Sequence, residues 1–339
     1  MDTTLDEITA LMLLKIEAEL KDAVEQIAHP ALFELNAMLA YHLGWETDIA
    51  GKSNTGKRIR PLLVLLSAAA SGGEWQAALP AASAVELIHN FSLIHDDIQD
   101  NSPLRRGRST VWKIWGIPQA INSGDSMYSL ACLALLRLTK LSSCEITLQA
   151  ARILLDTALR LTEGQYLDLA YEKQDEIILE DYWLMIGRKT ANLLSACTKI
   201  GALVGGGQGN ILEAYHEFGY ELGLAFQVQD DMLGIWGEAV LTGKSTDSDL
   251  ISGKKSLPVI YGLNQKGNFF QRWMQGPVLP QDVPGLAKQL EIEGARDHGM
   301  QEVTKHTEQA LSALESAHPI SPYSEILKTL TMRLLSRST

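Results

Sequence analysis

The chain has 339 residues, 46% of them hydrophobic and 21% charged, and a formal net charge of −12. That balance is ordinary for a folded globular protein, and its negative field excludes broad attraction to nucleic acid or an anionic membrane surface. Any anionic ligand would need a local group of cations or a bound metal.

The opening segment, MDTTLDEITALMLLKIEAEL, is acidic and amphipathic, unlike a signal or transit peptide. No uninterrupted apolar run reaches the roughly 18 residues of a membrane span, so a soluble, cytoplasmic protein is expected. Cys132, Cys144 and Cys197 lie in apolar helical contexts without metal-ligand spacing and read as reduced core thiols. SNTGKRIRP (53–61) is a loop leading into a helix and carries Lys57, Arg58 and Arg60.

Next comes LIHNFSLIHDDIQD (87–100), where Leu87, Phe91, Ile94 and Ile98 recur at helical spacing. This apolar helix ends in Asp96, Asp97 and Asp100. At about 100° per residue, Asp100 stacks beside Asp96, Asp97 lies on the shoulder of that face, and His89 falls on the same face. Two like charges 4 Å apart cost on the order of 4 kcal/mol at an effective dielectric of 20, which a cation in the gap would relieve. Oxygen-only ligands favour a hard ion such as Mg²⁺; a solvated helix end is the equal alternative from this segment alone. The fragment IHDD also suggests a His-Asp phosphohydrolase, but His29, His42, His216, His298, His306 and His318 show no matching arrangement.

LRRGRST follows within ten residues and supplies Arg105, Arg106 and Arg108; adjacent forked guanidiniums suit bidentate phosphate contacts. Helical periodicity continues through ITLQAARILLDTALRLTEGQYLDLA and IGRKTANLLSACTKIGALVG, the latter with Arg188, Lys189 and Thr190. GGGQG (205–209) breaks one helix from the next. The helix ILEAYHEFGYELGLAFQVQDDMLGIW then repeats the acidic ending with Asp230 and Asp231. Gly219, Gly223, Gln227 and Asp230 share a face there, which suits either space beneath the acid or close helix packing. An irregular stretch from Gly237 to about Ser256 carries Lys244, Lys254 and Lys255, and loops of that length are often functional. From about Asn268 onward the helices are amphipathic and carry no motif. The pattern predicts one all-α domain over 1–339 with ten or more helices.

Two aspartate pairs 134 residues apart, each ending an apolar helix and each accompanied by cations, resemble the trans-isoprenyl diphosphate synthases of the polyprenyl synthetase family. DDIQD matches the first DDxxD motif, GKRIRP the early lysine-arginine element, and LRRGRST the paired arginines. His89, Lys189–Thr190, Phe226–Gln227 and Asp230–Asp231 match further motif positions, and GKST…GKKSLP is similar to the family's lysine loop. The order and spacing hold from about residue 56 to 258. One position departs: the second motif reads DDMLG, with Gly234 where the last acid commonly stands. Asp247 and Asp249 are the nearby acids that could compensate.

The resemblance implies an isoprenoid synthase bundle around a central cavity, forming a homodimer, and a head-to-tail condensation of isopentenyl diphosphate with an allylic diphosphate. It implies about three Mg²⁺ ions, with Mn²⁺ as a substitute, held by Asp96, Asp97, Asp100, Asp230 and Asp231 together with substrate phosphates. Arg105, Lys189, Lys244 and Lys254 would bind the allylic diphosphate; Lys57, Arg60, His89 and Arg106 would bind isopentenyl diphosphate. Thr190 and Gln227 would face the allylic cation. Phe91 and Ser92, five and four residues before Asp96, are the chain-length positions. Phe91 with a small neighbour points to geranylgeranyl diphosphate (C20), with farnesyl diphosphate (C15) second. A class I terpene cyclase would not need GKRIRP, His89 and Arg106, and a non-catalytic regulatory subunit would not need both acidic pairs.

Overall fold

The computed structural model describes residues 2–46, 55–174, 176–237 and 248–335. As the apolar spacing predicts, nearly every element is an α-helix: α1 (Asp2–Val24), α2 (Phe33–His42), α3 (Ile59–Ala70), α4 (Leu79–Gln99), α5 (Val111–Trp115), α6 (Ile117–Leu136), α7 (Cys144–Glu172), α8 (Leu179–Ile186) and α9 (Asn192–Val204). These are followed by α10 (Asn210–Trp236), α11 (Ser248–Ser252), α12 (Leu257–Gln265), α13 (Asn268–Trp273), α14 (Val283–Ile292), α15 (Ala295–Ser316) and α16 (Tyr323–Leu335). Among the described residues the strands are β1 (Leu104–Arg105) and β2 (Arg108–Ser109), an antiparallel pair with Leu104 opposite Ser109.

The helices fall into two compact units, whose boundaries lie inside α7, α9, α10, α15 and α16. The first comprises 1–158, 193–216 and 314–327. In it α4 packs against α6, α3 and α1. α3 is buried from Pro61 to Ala70, an apolar rod whose sequence offers no polar face over that span. On α9, a Cβ at Gly201 would lie 2.2 Å from the Val64 carbonyl oxygen and one at Gly205 2.3 Å from that of Ala68. These glycines let the α9 and α3 backbones approach closely. The GGGQG break ends α9 as expected, with Gly206 and Gly209 at positive φ.

The stretch Trp75–Gln99 has the length and hydropathy of a membrane span, but 67% of its most apolar window is buried inside the protein, as in a core helix. The cysteine expectation needs correction. Cys197 is buried, but Cys132 is half-buried and Cys144, at the start of α7, is exposed. Local apolarity put all three in the core, whereas packing partners exist for one face of each helix only.

The second unit comprises 159–192, 217–313 and 328–339. One of its cores gathers Tyr182, Met185, Leu224, Val228, Leu257 and Ile260; another is built around Phe269 with Ile235, Leu250 and Leu290. The first core lies under the segment that bears Asp230 and Asp231.

Candidate active site

In the first unit the site residues come from the loop before α3, the C-terminal turn of α4 and the β1–β2 hairpin. α4 closes with Asp100 as its C-cap, whose N–H donates to the Asp96 carbonyl at 2.8 Å, and its last turn has no basic residue. Carboxylates at the negative end of a helix dipole are unfavourable unless a cation is supplied. The geometry separates the three acids. Asp96 is half-buried and Asp100 exposed, whereas Asp97 is only 2% exposed and turned inward. Arg105 grips Asp97 with both Nε and Nη2, each 2.8 Å from Oδ1.

The paired arginines are split by a tight turn. Arg106 and Gly107 have φ of 52° and 76°, the left-handed pair a two-residue hairpin needs, and the glycine takes the second position without steric cost. The hairpin is anchored by Tyr41, whose hydroxyl donates to the Ser109 carbonyl at 2.8 Å, and by Trp112, whose Nε1 donates to Ser102 at 2.9 Å. The turn sends Arg105 to Asp97 and Arg106 to the GKRIRP loop. There a Cβ at Gly56 would meet the Arg106 guanidinium at 2.6 Å.

Within GKRIRP the three cations have different fates. Lys57 is exposed. Arg58 is 4% exposed; its Nε bonds Glu17 at 2.6 Å, Nη1 bonds Glu86 at 2.8 Å and Nη2 donates to the Leu43 carbonyl at 2.9 Å. It is a structural anchor. Arg60 places Nη1 3.1 Å from His89 Nε2. A guanidinium can only donate, so His89 accepts on Nε2 and carries its proton on Nδ1. Burial, then Arg60, Arg106 and Arg105, hold the His89 imidazole well below its ordinary pKa. Burial, then Arg105, Arg106, Arg58 and Arg108, push His42 down to about 3. Two neutral histidines amid Arg58, Arg60, Arg105 and Arg106 mark a region that favours an anion.

On the chain-length face, Phe91 makes edge contacts with His95 and with Tyr128 of α6, at centroid distances of 4.9 and 5.3 Å. Tyr128 was not legible as a partner from sequence. Ser92 Oγ donates to the His89 carbonyl at 2.8 Å and leaves little bulk on the side of α4 below Asp96.

The second unit centres on GRKTA, which forms a π-helical turn (Gly187–Ala191) between α8 and α9. Such bulges recur at functional sites, and this one carries Lys189 and Thr190. A Cβ at Gly223 would come within 2.4 Å of the Ala191 Cα, so this glycine serves close packing of α10 on the π turn. The Thr190 hydroxyl donates to Gln227 Oε1 at 2.6 Å, and Gln227 Nε2 donates to Asp231 Oδ1 at 2.9 Å. Asp231 is 2% exposed and also accepts from the Tyr182 hydroxyl at 2.9 Å and the Leu257 N–H at 3.1 Å, capping α12. Burial pushes its carboxyl up to about 6, Lys254 counteracts that and Asp249 reinforces it. Asp230, its neighbour, is exposed.

Lys189 pairs with Asp168 of α7. Burial alone would raise the Asp168 carboxyl; Lys189 and Lys254 bring it below its ordinary range. Burial works against the Lys254 charge, yet Asp249, Asp168, Asp231 and Asp230 together raise its pKa above the usual lysine value. Asp168 and Tyr182 are functional-site neighbours that no motif indicated. Lys244 and Asp247 lie outside the described residues.

Each unit taken by itself offers carboxylate oxygens, Asp96 and Asp100 in the first and Asp230 in the second, and oxygen donors suit Mg²⁺. Among the described residues no three His, Cys, Asp or Glu side chains converge on one metal position. Mg²⁺ commonly takes one or two carboxylates and completes its shell with phosphate oxygens and water.

The polyprenyl synthetase family model matches residues 50–276. A geranylgeranyl diphosphate synthase of Mycobacterium tuberculosis is 42% identical over 248 residues, covering 72% of this chain and 68% of that protein. A (2E,6E)-farnesyl diphosphate synthase of Mycobacterium bovis is 37% identical over 290 residues, covering 82% and 79%. A crystal structure of a polyprenyl synthetase from Streptomyces coelicolor superposes with a TM-score of 0.86 at 34% identity, covering 98% of this chain and 99% of that one.

Proposed function

The chain belongs to the polyprenyl synthetase family and is a short-chain trans-prenyltransferase, and we propose that it condenses isopentenyl diphosphate with an allylic diphosphate to give geranylgeranyl diphosphate. The observation that carries this reading is the sorting of each acidic pair: Asp97 and Asp231 are buried and bonded inward, whereas Asp96 is half-buried and Asp230 exposed, and cations stand beside both pairs. The 42% identity to a geranylgeranyl diphosphate synthase favours C20; the 37% identity to a farnesyl diphosphate synthase makes C15 the second reading. In this reading residues 1–339 make one synthase domain.

Divalent-metal use is a family property. We assign Asp96, Asp100 and Asp230 as the principal holders of about three Mg²⁺ ions, with Asp97 and Asp231 aligning them from behind. Bound Mg²⁺ would neutralise charge that grows on the leaving diphosphate.

Arg105, Lys189 and Lys254, with Lys244, bind the allylic diphosphate. Because the charge on its bridging oxygen rises as the C–O bond breaks, fixed cations stabilise the transition state more than the ground state. Lys57, Arg60, His89 and Arg106 hold isopentenyl diphosphate, His89 donating through Nδ1–H. Thr190 and Gln227 orient oxygen toward the allylic cation, and apolar walls keep water from it. The isopentenyl double bond attacks the allylic carbon, forming the new C–C bond. The proton then lost passes to the departed diphosphate, so no side-chain base is needed. The small Ser92 leaves room for the growing chain, and Phe91 with Tyr128 forms part of its wall.

Incubating the protein with labelled isopentenyl diphosphate and each of the C5, C10 and C15 allylic starters tests the reading. Chromatography of the dephosphorylated prenols should show a C20 alcohol. Asp96→Ala and Asp230→Ala should each cut turnover by about a hundredfold or more while circular dichroism is unchanged. Near-normal rates in either variant, or a crystal with Mg²⁺ and pyrophosphate in which Asp96 and Asp230 serve unrelated regions, would reject it. Hydrocarbon released from the starter alone would indicate cyclisation instead. Ser92→Phe should shorten the product; an unchanged prenol profile would place the floor elsewhere.

We further propose a cytoplasmic homodimer. Ile117, Ile121, Leu133 and Leu136 of α6 and Leu148 and Leu155 of α7 are exposed, a concentration of apolar side chains that a second copy would cover.

A further inference from the structure

The position at which the second acidic motif departs from the family pattern is filled from elsewhere in the chain. Gly234 lies one helical turn after Asp230 on α10, on the face that an acid at this position would share with it. A Cβ built on Gly234 would lie 2.2 Å from Asp249 Oδ2 and 2.9 Å from its Cγ. The Asp249 carboxylate, projecting from the first turn of α11, therefore occupies the volume that a side chain at 234 would take.

The local backbone holds it there. The Asp249 carbonyl accepts from the Lys254 N–H at 3.0 Å and from Ser252 Oγ at 3.2 Å, closing the turn after α11. Asp249 also stands first among the carboxylates that keep Lys254 charged, ahead of Asp168, Asp231 and Asp230. Its charge thus enters the same acidic group as the second motif. Glycine at 234 is what makes room: an aspartate there would place two carboxylates in one space.

We propose that Asp249 supplies the third carboxylate of the second aspartate motif, acting beside Asp230 toward the divalent cation in the place left by Gly234. The inference rests on the prenyl-transfer reading and adds a residue to that site. The competing role is purely structural, with Asp249 serving only as the counter-ion of Lys254.

Relocating the acid separates the two. In Gly234→Asp/Asp249→Ala the new side chain clears the old site, because its Cβ would stand 3.7 Å from the Asp249 Cβ, an ordinary contact. Binding of Mn²⁺ in the presence of inorganic pyrophosphate, read as loss of the free-ion electron paramagnetic resonance signal, requires no turnover. Asp249→Ala should weaken Mn²⁺ binding by about tenfold, and the double variant should recover most of it. If Asp249→Ala unfolds, the near-isosteric Asp249→Asn carries the same measurement. Mn²⁺ affinity equal to wild type in the single variant, or a double variant as weak as the single, overturns the proposal. Prenyl transfer by the wild-type protein is assayed in parallel. If wild type makes no prenyl diphosphate, the functional reading itself fails; if it does and the Mn²⁺ affinities do not change, only the Asp249 assignment fails.

Discussion

Residue identity alone does not separate ligands from anchors, and GKRIRP illustrates how environment does. Arg58 and Arg60 carry the same side chain two positions apart, yet one is sealed between Glu17 and Glu86 and the other meets His89. Removing one partner of a buried ion pair leaves an uncompensated charge, which typically costs about 3–5 kcal/mol. Arg58→Ala should therefore lower the unfolding free energy, extrapolated from a urea titration, by an amount of that order. Its effect on catalysis should follow the loss of folded protein, without a separate rise in the KM for isopentenyl diphosphate. Chemical denaturation and steady-state kinetics on the folded fraction check both. Sequence placed Arg58 among the available cations because spacing shows which residues neighbour one another in the chain, not which find a buried carboxylate. The same holds for Asp97 and Asp231: adjacency to Asp96 and Asp230 was visible, but their inward hydrogen bonds were not.

At the scale of elements, α4 and α10 were both legible as apolar helices that end in acid, because a 3.6-residue period and a cluster of carboxylates are local properties. The π turn at Gly187–Ala191 was not, since one extra residue in a helix leaves no compositional mark. Its position depends on α10 pressing against it at Gly223. Adding a methyl group there would overfill a backbone contact, at a typical cost of about 1–3 kcal/mol. Gly223→Ala should reduce the thermal midpoint and, because the π turn carries Lys189 and Thr190, raise the KM for the allylic diphosphate more than that for isopentenyl diphosphate. Equal KM values for wild type and variant would show that the turn tolerates the shift. The β1–β2 hairpin was likewise missed. Two-residue strands fall below any periodicity signal, and only the Arg106–Gly107 turn geometry sets which way each arginine points.

For the whole molecule, the exposed apolar residues of α6 and α7 carry the assembly prediction. Sedimentation equilibrium should give a mass near twice the 37.2 kDa chain. Leu133→Glu combined with Leu148→Glu should shift it to monomer, since charge in a desolvated apolar contact is costly. A wild-type mass of one chain would exclude the dimer. What sequence determined unaided was chemical and periodic: an all-α chain, two carboxylate motifs with oxygen donors, cations at intervals suited to diphosphate, and enough ordered motifs to indicate the family. Tertiary structure decided which acid of each pair is buried and bonded inward, which arginine becomes an anchor, and that Asp249 enters the space over Gly234. Those outcomes depend on contacts between segments far apart in the chain. Local propensity carries no information about such distances, which packing sets only when the helices come together.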